Sequence, residues 1–170
     1  MFKQFAVVTL SVLAFGSLAC AQKPSPAAQA QCKFSDGKTI TVDYSSPRMK
    51  GRKIFGELVP FGEVWRTGAN EATTFVTTAN VTVGGKSVPA GSYTIFTVPK
   101  QGNWTLIVNK KTGEWGIPYK YEADELARVD MSVSQTPSAV ENFTIAFDQA
   151  CTLNISWENT QASVKIAEGK

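Results

Sequence analysis

The sequence predicts an all-β protein: a single antiparallel β-sandwich, possible as a barrel if its edges meet, with two long ordered loops and little helix. Three observations predict it. Apolar and polar residues alternate with period two along much of the chain. Turn residues such as Asp36-Gly37, Gly84-Gly85 and Gln101-Gly102 separate the alternating runs. The length left after the first 21 residues is that of one ordinary domain.

Those first residues read as an export signal. Lys3 supplies a positive start, Phe5 to Leu18 are mostly apolar, and the small residues Ala19-Cys20-Ala21 form a cleavage site before Gln22. The apolar run is shorter than the ~20 residues of a membrane span, and no later segment competes with it, so no transmembrane segment is expected. Cys20 offers an alternative as a lipid anchor. It is disfavoured because a lipoprotein signal wants Leu three residues before the cysteine, where Ser17 stands here. The expected location is periplasmic or secreted. Cleavage leaves 149 of the 170 residues and, by removing Lys3, lowers the net charge from +3 to +2. So slight an imbalance argues against a nucleic-acid partner.

Residues 22–31, with Pro24, Pro26 and several Ala and Gln, are predicted to be a flexible tether. The single β-domain is placed at 32–167. It opens with a hairpin, Cys32-Lys33-Phe34 turning at Asp36-Gly37 into Lys38 to Tyr44. Ser92 to Val98 and Asn103 to Asn109 are apolar on both faces, which predicts central strands covered on both sides. The last third alternates most clearly: Val129, Met131 and Val133, then Phe143, Ile145 and Phe147, then Cys151, Leu153, Ile155 and Trp157. A turn near Glu158-Asn159 is predicted to return the chain through Ala162, Val164 and Ile166. Short helix is expected only near Arg52 to Leu58 and Tyr121 to Leu126.

Two cysteines remain after cleavage, and both share parity with core-facing residues, so a Cys32–Cys151 disulfide is expected in an oxidising compartment. There is no histidine, which excludes Ser-His-Asp and Cys-His nucleophiles and His-based zinc sites. Without a C-x-x-C pair or an acidic EF-hand loop, no metal and no cofactor is expected.

Candidate chemistry concentrates where the β rhythm breaks, at 45–70 and at 110–125. The first stretch is too apolar for disorder and should pack as an ordered lid or shoulder. It carries Arg48, Lys50, Arg52 and Lys53, an anion site if they converge and a solvated loop if they do not. Further on, Gly68 and Asn70 suit a reversal that brings Arg66 back towards Glu71. That pair reads either as an ion pair anchoring the loop, the favoured role, or as part of a polar-ligand site with Asn70 beside Trp65. The second stretch, Trp115 to Tyr121, reads either as a plug for the open end of the sandwich, again the favoured role, or as a stacking platform led by Trp115. Trp104 and Trp157 are assigned to the core.

Three motifs, Ser46 to Gly56, Trp65 to Thr73 and Val88 to Tyr93, together resemble the bacterial family called domain of unknown function 2911. The similarity spans about Lys33 to Val164. It implies an exported, mostly β protein and brings no activity, ligand or catalytic residue with it. The function expected from the residues is therefore non-enzymatic binding of a small polar, anionic or carbohydrate ligand, small molecule or glycan, by Arg48, Arg52, Arg66, Asn70, Glu71 and Trp115. The alternatives are a carboxylate-dependent hydrolase or lyase with Glu71 as its acid or base, and an envelope structural protein without a ligand.

Overall fold

The computed structural model describes residues 25–169. The export signal at 1–21, with Cys20, and the first residues of the tether lie outside this range.

Nine strands, β1 (Ala27–Lys33), β2 (Thr39–Ser45), β3 (Thr74–Thr77), β4 (Val81–Val83), β5 (Lys86–Val88), β6 (Gly91–Pro99), β7 (Asn103–Asn109), β8 (Glu125–Phe147) and β9 (Thr152–Glu168), make one sheet of order β1-β2-β3-β6-β7-β8-β9-β4-β5. Every pairing is antiparallel. The sheet does not close into a barrel. It folds over instead, so that β1 and β5, its two edges, both pack against β8 without joining it by a ladder. The result is sandwich-like, as the alternation predicts.

The Asp36-Gly37 hairpin forms where expected, with Lys33 opposite Thr39 and Gly37 at a φ of +90°. Residues Ala27 to Gln31, expected in the tether, are strand instead and pair in register from Ala27 opposite Ser45. Alanines and glutamines there give almost no hydropathy contrast, so the alternation that buries Ala30 and Cys32 is invisible in composition.

The predicted reversal near Glu158-Asn159 is also absent. β9 runs straight through it, paired with β8 from Leu153 opposite Phe147 to Ser163 opposite Ser132. The inward set changes from Leu153, Ile155 and Trp157 to Ala162, Val164 and Ile166. A change of parity signals either a reversal or a bulge, and here it is a bulge, with Glu158 at a φ of +55° and register shifts in the facing part of β8. No helix forms at 52–58, where Gly56 adopts a φ of +91°, and 121–126 holds only the 3-10 turn Glu122–Asp124.

β6 and β7 are covered on both faces, as their sequences predict. Tyr93, Ile95, Trp104, Leu106 and Val108 face the main core. Phe96, Val98 and Ile107 face a smaller cluster with Ala72, under Tyr119 and Tyr121. Cys32 of β1 is bonded to Cys151 in the β8–β9 turn, with Cα atoms 5.7 Å apart, pinning the first strand to the last hairpin. Among the described residues, no helix is long and apolar enough to cross a membrane.

Candidate functional site

The long loop between β2 and β3 is ordered because its backbone is anchored along its length. Met49 N–H donates to the Glu141 carbonyl and Lys50 N–H to the Glu141 carboxylate, both at 2.8 Å. The Glu158 carboxylate accepts from the N–H groups of Ile54 and Phe55 at 3.3 and 3.2 Å. Gly62 donates to the Pro99 carbonyl, and Trp65 exchanges two backbone bonds with Thr97 of β6. This supplies partners for backbone groups that the irregular segment 46–73 would otherwise leave unpaired where it is buried.

These anchors carry Trp65 into the core. Its ring stacks on Trp157 at 6.1 Å and 15°, meets Phe143 edge-on at 5.1 Å, and donates Nε1–H to the Gly68 carbonyl at 3.1 Å. The reversal predicted after Trp65 is present: Thr67 and Asn70 adopt φ of +55° and +57°, and Gly68 +152°. A Cβ on Gly68 would stand 2.9 Å from the Ser45 carbonyl oxygen, so only glycine fits this approach.

Above the Trp65–Trp157 stack opens a cleft of about 550 Å³. Arg48, Lys50, Arg52 and Arg66 line it with the apolar Leu58 and Ile117. The basic run therefore does converge, except Lys53, which lies 3.7 Å from Glu57. The three guanidiniums are not equivalent. Arg48 Nη1 donates to the Ser46 carbonyl and hydroxyl at 2.9 and 2.7 Å. Arg52 donates through Nε and Nη2 to the carbonyls of Met49 and Arg48, holding its own loop. Arg66 Nη1 is buried and has no hydrogen-bond partner. Its Cζ sits 5.0 Å from the ring centroid of Trp115, a cation–π contact. Burial pushes this guanidinium below its ordinary pKa, and the attraction of Glu71 opposes that shift without cancelling it.

The six predicted site residues thus divide. Arg48, Arg52 and Arg66 line the cleft, whereas Trp115, 55% exposed, is not part of its lining and only touches Arg66. Asn70 does not line the cleft: its amide donates to the Ser25 carbonyl and the Ser45 hydroxyl, a role in holding the reversal. Glu71 lines a separate, shallow depression of about 190 Å³ with Asp43 and Tyr44. Leu58, Ile117 and Trp157 also belong to the cleft; the first two lie in the stretches where the β rhythm breaks, but nothing within those stretches marks them individually. Leu58 and Ile117 are exposed apolar residues of irregular segments, and Trp157 is indistinguishable from a core tryptophan by alternation.

The loop after β7 divides as well. Tyr119 and Tyr121 plug the outer face of β6 and β7, with Phe96 4.9 Å from the Tyr119 ring centroid. Asn109 donates to the Tyr119 hydroxyl at 3.1 Å, and that hydroxyl donates to Glu125 at 2.6 Å. Gly116, at a φ of +94°, lets the loop settle closely: a Cβ there would lie 2.8 Å from Ala72 Cβ and 3.2 Å from Arg66 Cβ. A second depression of about 460 Å³ continues from the first between the two loops, sharing Leu58, Val59, Trp65 and Ile117 with it. Among the described residues, no three His, Cys, Asp or Glu side chains come together as metal ligands would.

No similar protein was found among curated proteins, and no similar structure among solved ones. One family model matches residues 25–166, which takes in both loops and all but the last two residues of the sheet, and the chain accordingly belongs to the DUF2911 family, described as proteins of unknown function.

Proposed function

We propose that the protein is an exported, non-enzymatic binding domain whose cleft takes a small anionic ligand with an apolar body. The observation that carries this reading is Arg66, a residue lining the cleft over stacked tryptophans, whose guanidinium keeps one buried nitrogen without a partner. A desolvated donor of this kind costs stability unless something accepts from it, and a carboxylate or phosphate oxygen is the strongest acceptor available. Arg48 and Lys50 add positive charge on the same rim. The apolar part of the ligand would lie on Leu58 and Ile117.

Placement outside the cell is supported by the Cys32–Cys151 bridge, which persists in oxidising compartments. Binding is favoured over carboxylate catalysis because no Asp or Glu among the described residues lines the basic cleft, while Glu71 lies in a shallow depression whose other carboxylate, Asp43, accepts from Gln29 at 2.7 Å. The test is a thermal-shift comparison of the mature protein with hexanoate, benzoate, phosphate and glucose. A ligand at a hundred times its Kd stabilises by ~2.7 kcal/mol. The organic anions should raise the melting temperature of the wild type and not of Arg66→Ala, and glucose should leave both unchanged. Stabilisation by glucose alone, or by none of the four, would contradict the reading.

A further inference from the structure

The two depressions between the loops differ in charge. Arg48, Lys50, Arg52 and Arg66 line the first, and among the described residues no carboxylate does. Glu63 and Glu122 line the second, and among the described residues no Lys or Arg does. Their shared wall is apolar, made by Leu58, Val59, Trp65 and Ile117. Leu58 and Ile117 are 46% and 39% exposed and come from different loops, so they form the exposed apolar waist of one groove with a basic end and an acidic end.

We propose that this groove binds a short peptide, with its free C-terminal carboxylate at the Arg66 end and its amino end at the Glu63 and Glu122 end. The inference rests on the anion-binding reading and adds the class of ligand. A free amino acid carries both charges on one carbon and cannot reach both ends across the waist. A zwitterionic lipid headgroup has adjacent charges with its apolar part beyond them, the wrong order for this groove. A peptide puts opposite charges at its two ends with side chains between them. In extended form roughly three to five residues span on the order of 10–17 Å, so both termini need not meet at one depression. Each depression falls within the size range of small-ligand sites. Opposed end charges also fix the direction in which the peptide lies, because the reversed pose sets like charges together at both ends.

The experiment is a calorimetric titration of the mature wild-type protein with a leucine-containing tetrapeptide in four forms: free, C-amidated, N-acetylated, and blocked at both ends. Hexanoate serves as the simple anion. The free form should bind most tightly, amidation should weaken binding at least tenfold, and acetylation should weaken it several-fold. Glu63→Gln with Glu122→Gln, two exposed positions, should abolish the effect of acetylation and keep that of amidation. Hexanoate binding that depends on Arg66, with the free tetrapeptide no tighter than its acetylated form, would overturn the peptide inference and leave the anion site standing. Equal binding of all four forms would overturn the inference as well. Failure of both hexanoate and the peptides to bind would overturn the anion site with it. The comparison of ligand forms uses wild-type protein and does not depend on any variant folding.

Discussion

Replacing Arg66 by methionine should leave the protein as stable as before or slightly more so, although Arg66 sits among buried residues. Four contributions decide the sign. The buried Nη1 without a partner costs ~1–3 kcal/mol in the ligand-free protein, towards the low end because the side chain is only half-buried. Loss of the contact with the Trp115 ring gives back ~0.5–1 kcal/mol. Loss of the attraction of Glu71, which burial outweighs, takes a further part of the gain. Methionine keeps the aliphatic stem beside Gly116, so the packing there is retained. The net expectation is a gain of about 0–1 kcal/mol, or up to ~3 °C in melting temperature for a domain of this size. Chemical denaturation of wild type and variant without ligand measures it. A loss of 2 kcal/mol or more would refute the reasoning, because the guanidinium would then be holding the loop instead of waiting for an acceptor. Such a site, destabilising when empty and satisfied when filled, is the usual compromise between stability and function.

Two further predictions concern the scaffold. Joint replacement of Cys32 and Cys151 by alanine removes a bridge across 119 positions of sequence, worth roughly 5 kcal/mol at most in the chain-entropy model, and should lower the melting temperature by ~10 °C or more; an unchanged melting temperature would show that the bridge adds nothing. Glu125 accepts from Arg128 at 2.6 and 2.8 Å and from the Tyr119 hydroxyl, which hold its carboxyl below the ordinary value of 4.5 despite some burial. A pKa lowered by folding gives stability above the unfolded value that is lost as pH falls through the folded one. Glu125→Gln should therefore melt lower than wild type at pH 7, with the gap narrowing towards pH 3, and a gap of constant size in calorimetric melts would contradict that role.

How much of this was legible beforehand depends on whether a feature is local or convergent. Alternation is local, so the strands around Phe143 to Trp157 and the double cover of β6 and β7 could be read directly. Cysteine parity likewise foretold the bridge. The parity change after Trp157 was visible too, but alternation carries no sense of direction and cannot separate a bulge from a reversal. β1 was missed over Ala27 to Gln31 because alanine and glutamine lack contrast there. In the site, the basic run and Arg66 were visible as residue types, and the cleft does gather them. What was hidden is the state of each guanidinium: spacing cannot show that Arg48 and Arg52 spend donors on nearby carbonyls while Arg66 Nη1 has none to meet. Nor does spacing reveal that Asn70 bonds Ser25 and Ser45, or that Glu71 opens onto a different depression from Arg66. The acidic anchors Glu141 and Glu158 lie about ninety to a hundred positions from the loop they hold, and only the long β8–β9 hairpin brings them there.

Binding of an anion over the Trp65–Trp157 stack through Arg66 is tested most directly by nuclear magnetic resonance on the isotope-labelled protein. Hexanoate titrated into the wild type should shift the Arg66 Nε–H signal and the indole N–H signals of Trp65 and Trp157 together, with one saturation curve. The Trp104 indole, buried on the main-core side of β7 and outside both depressions, should stay in place. Shifts confined to Glu71 and its neighbours, or no saturable shift at Arg66 and the two indoles, would contradict the account.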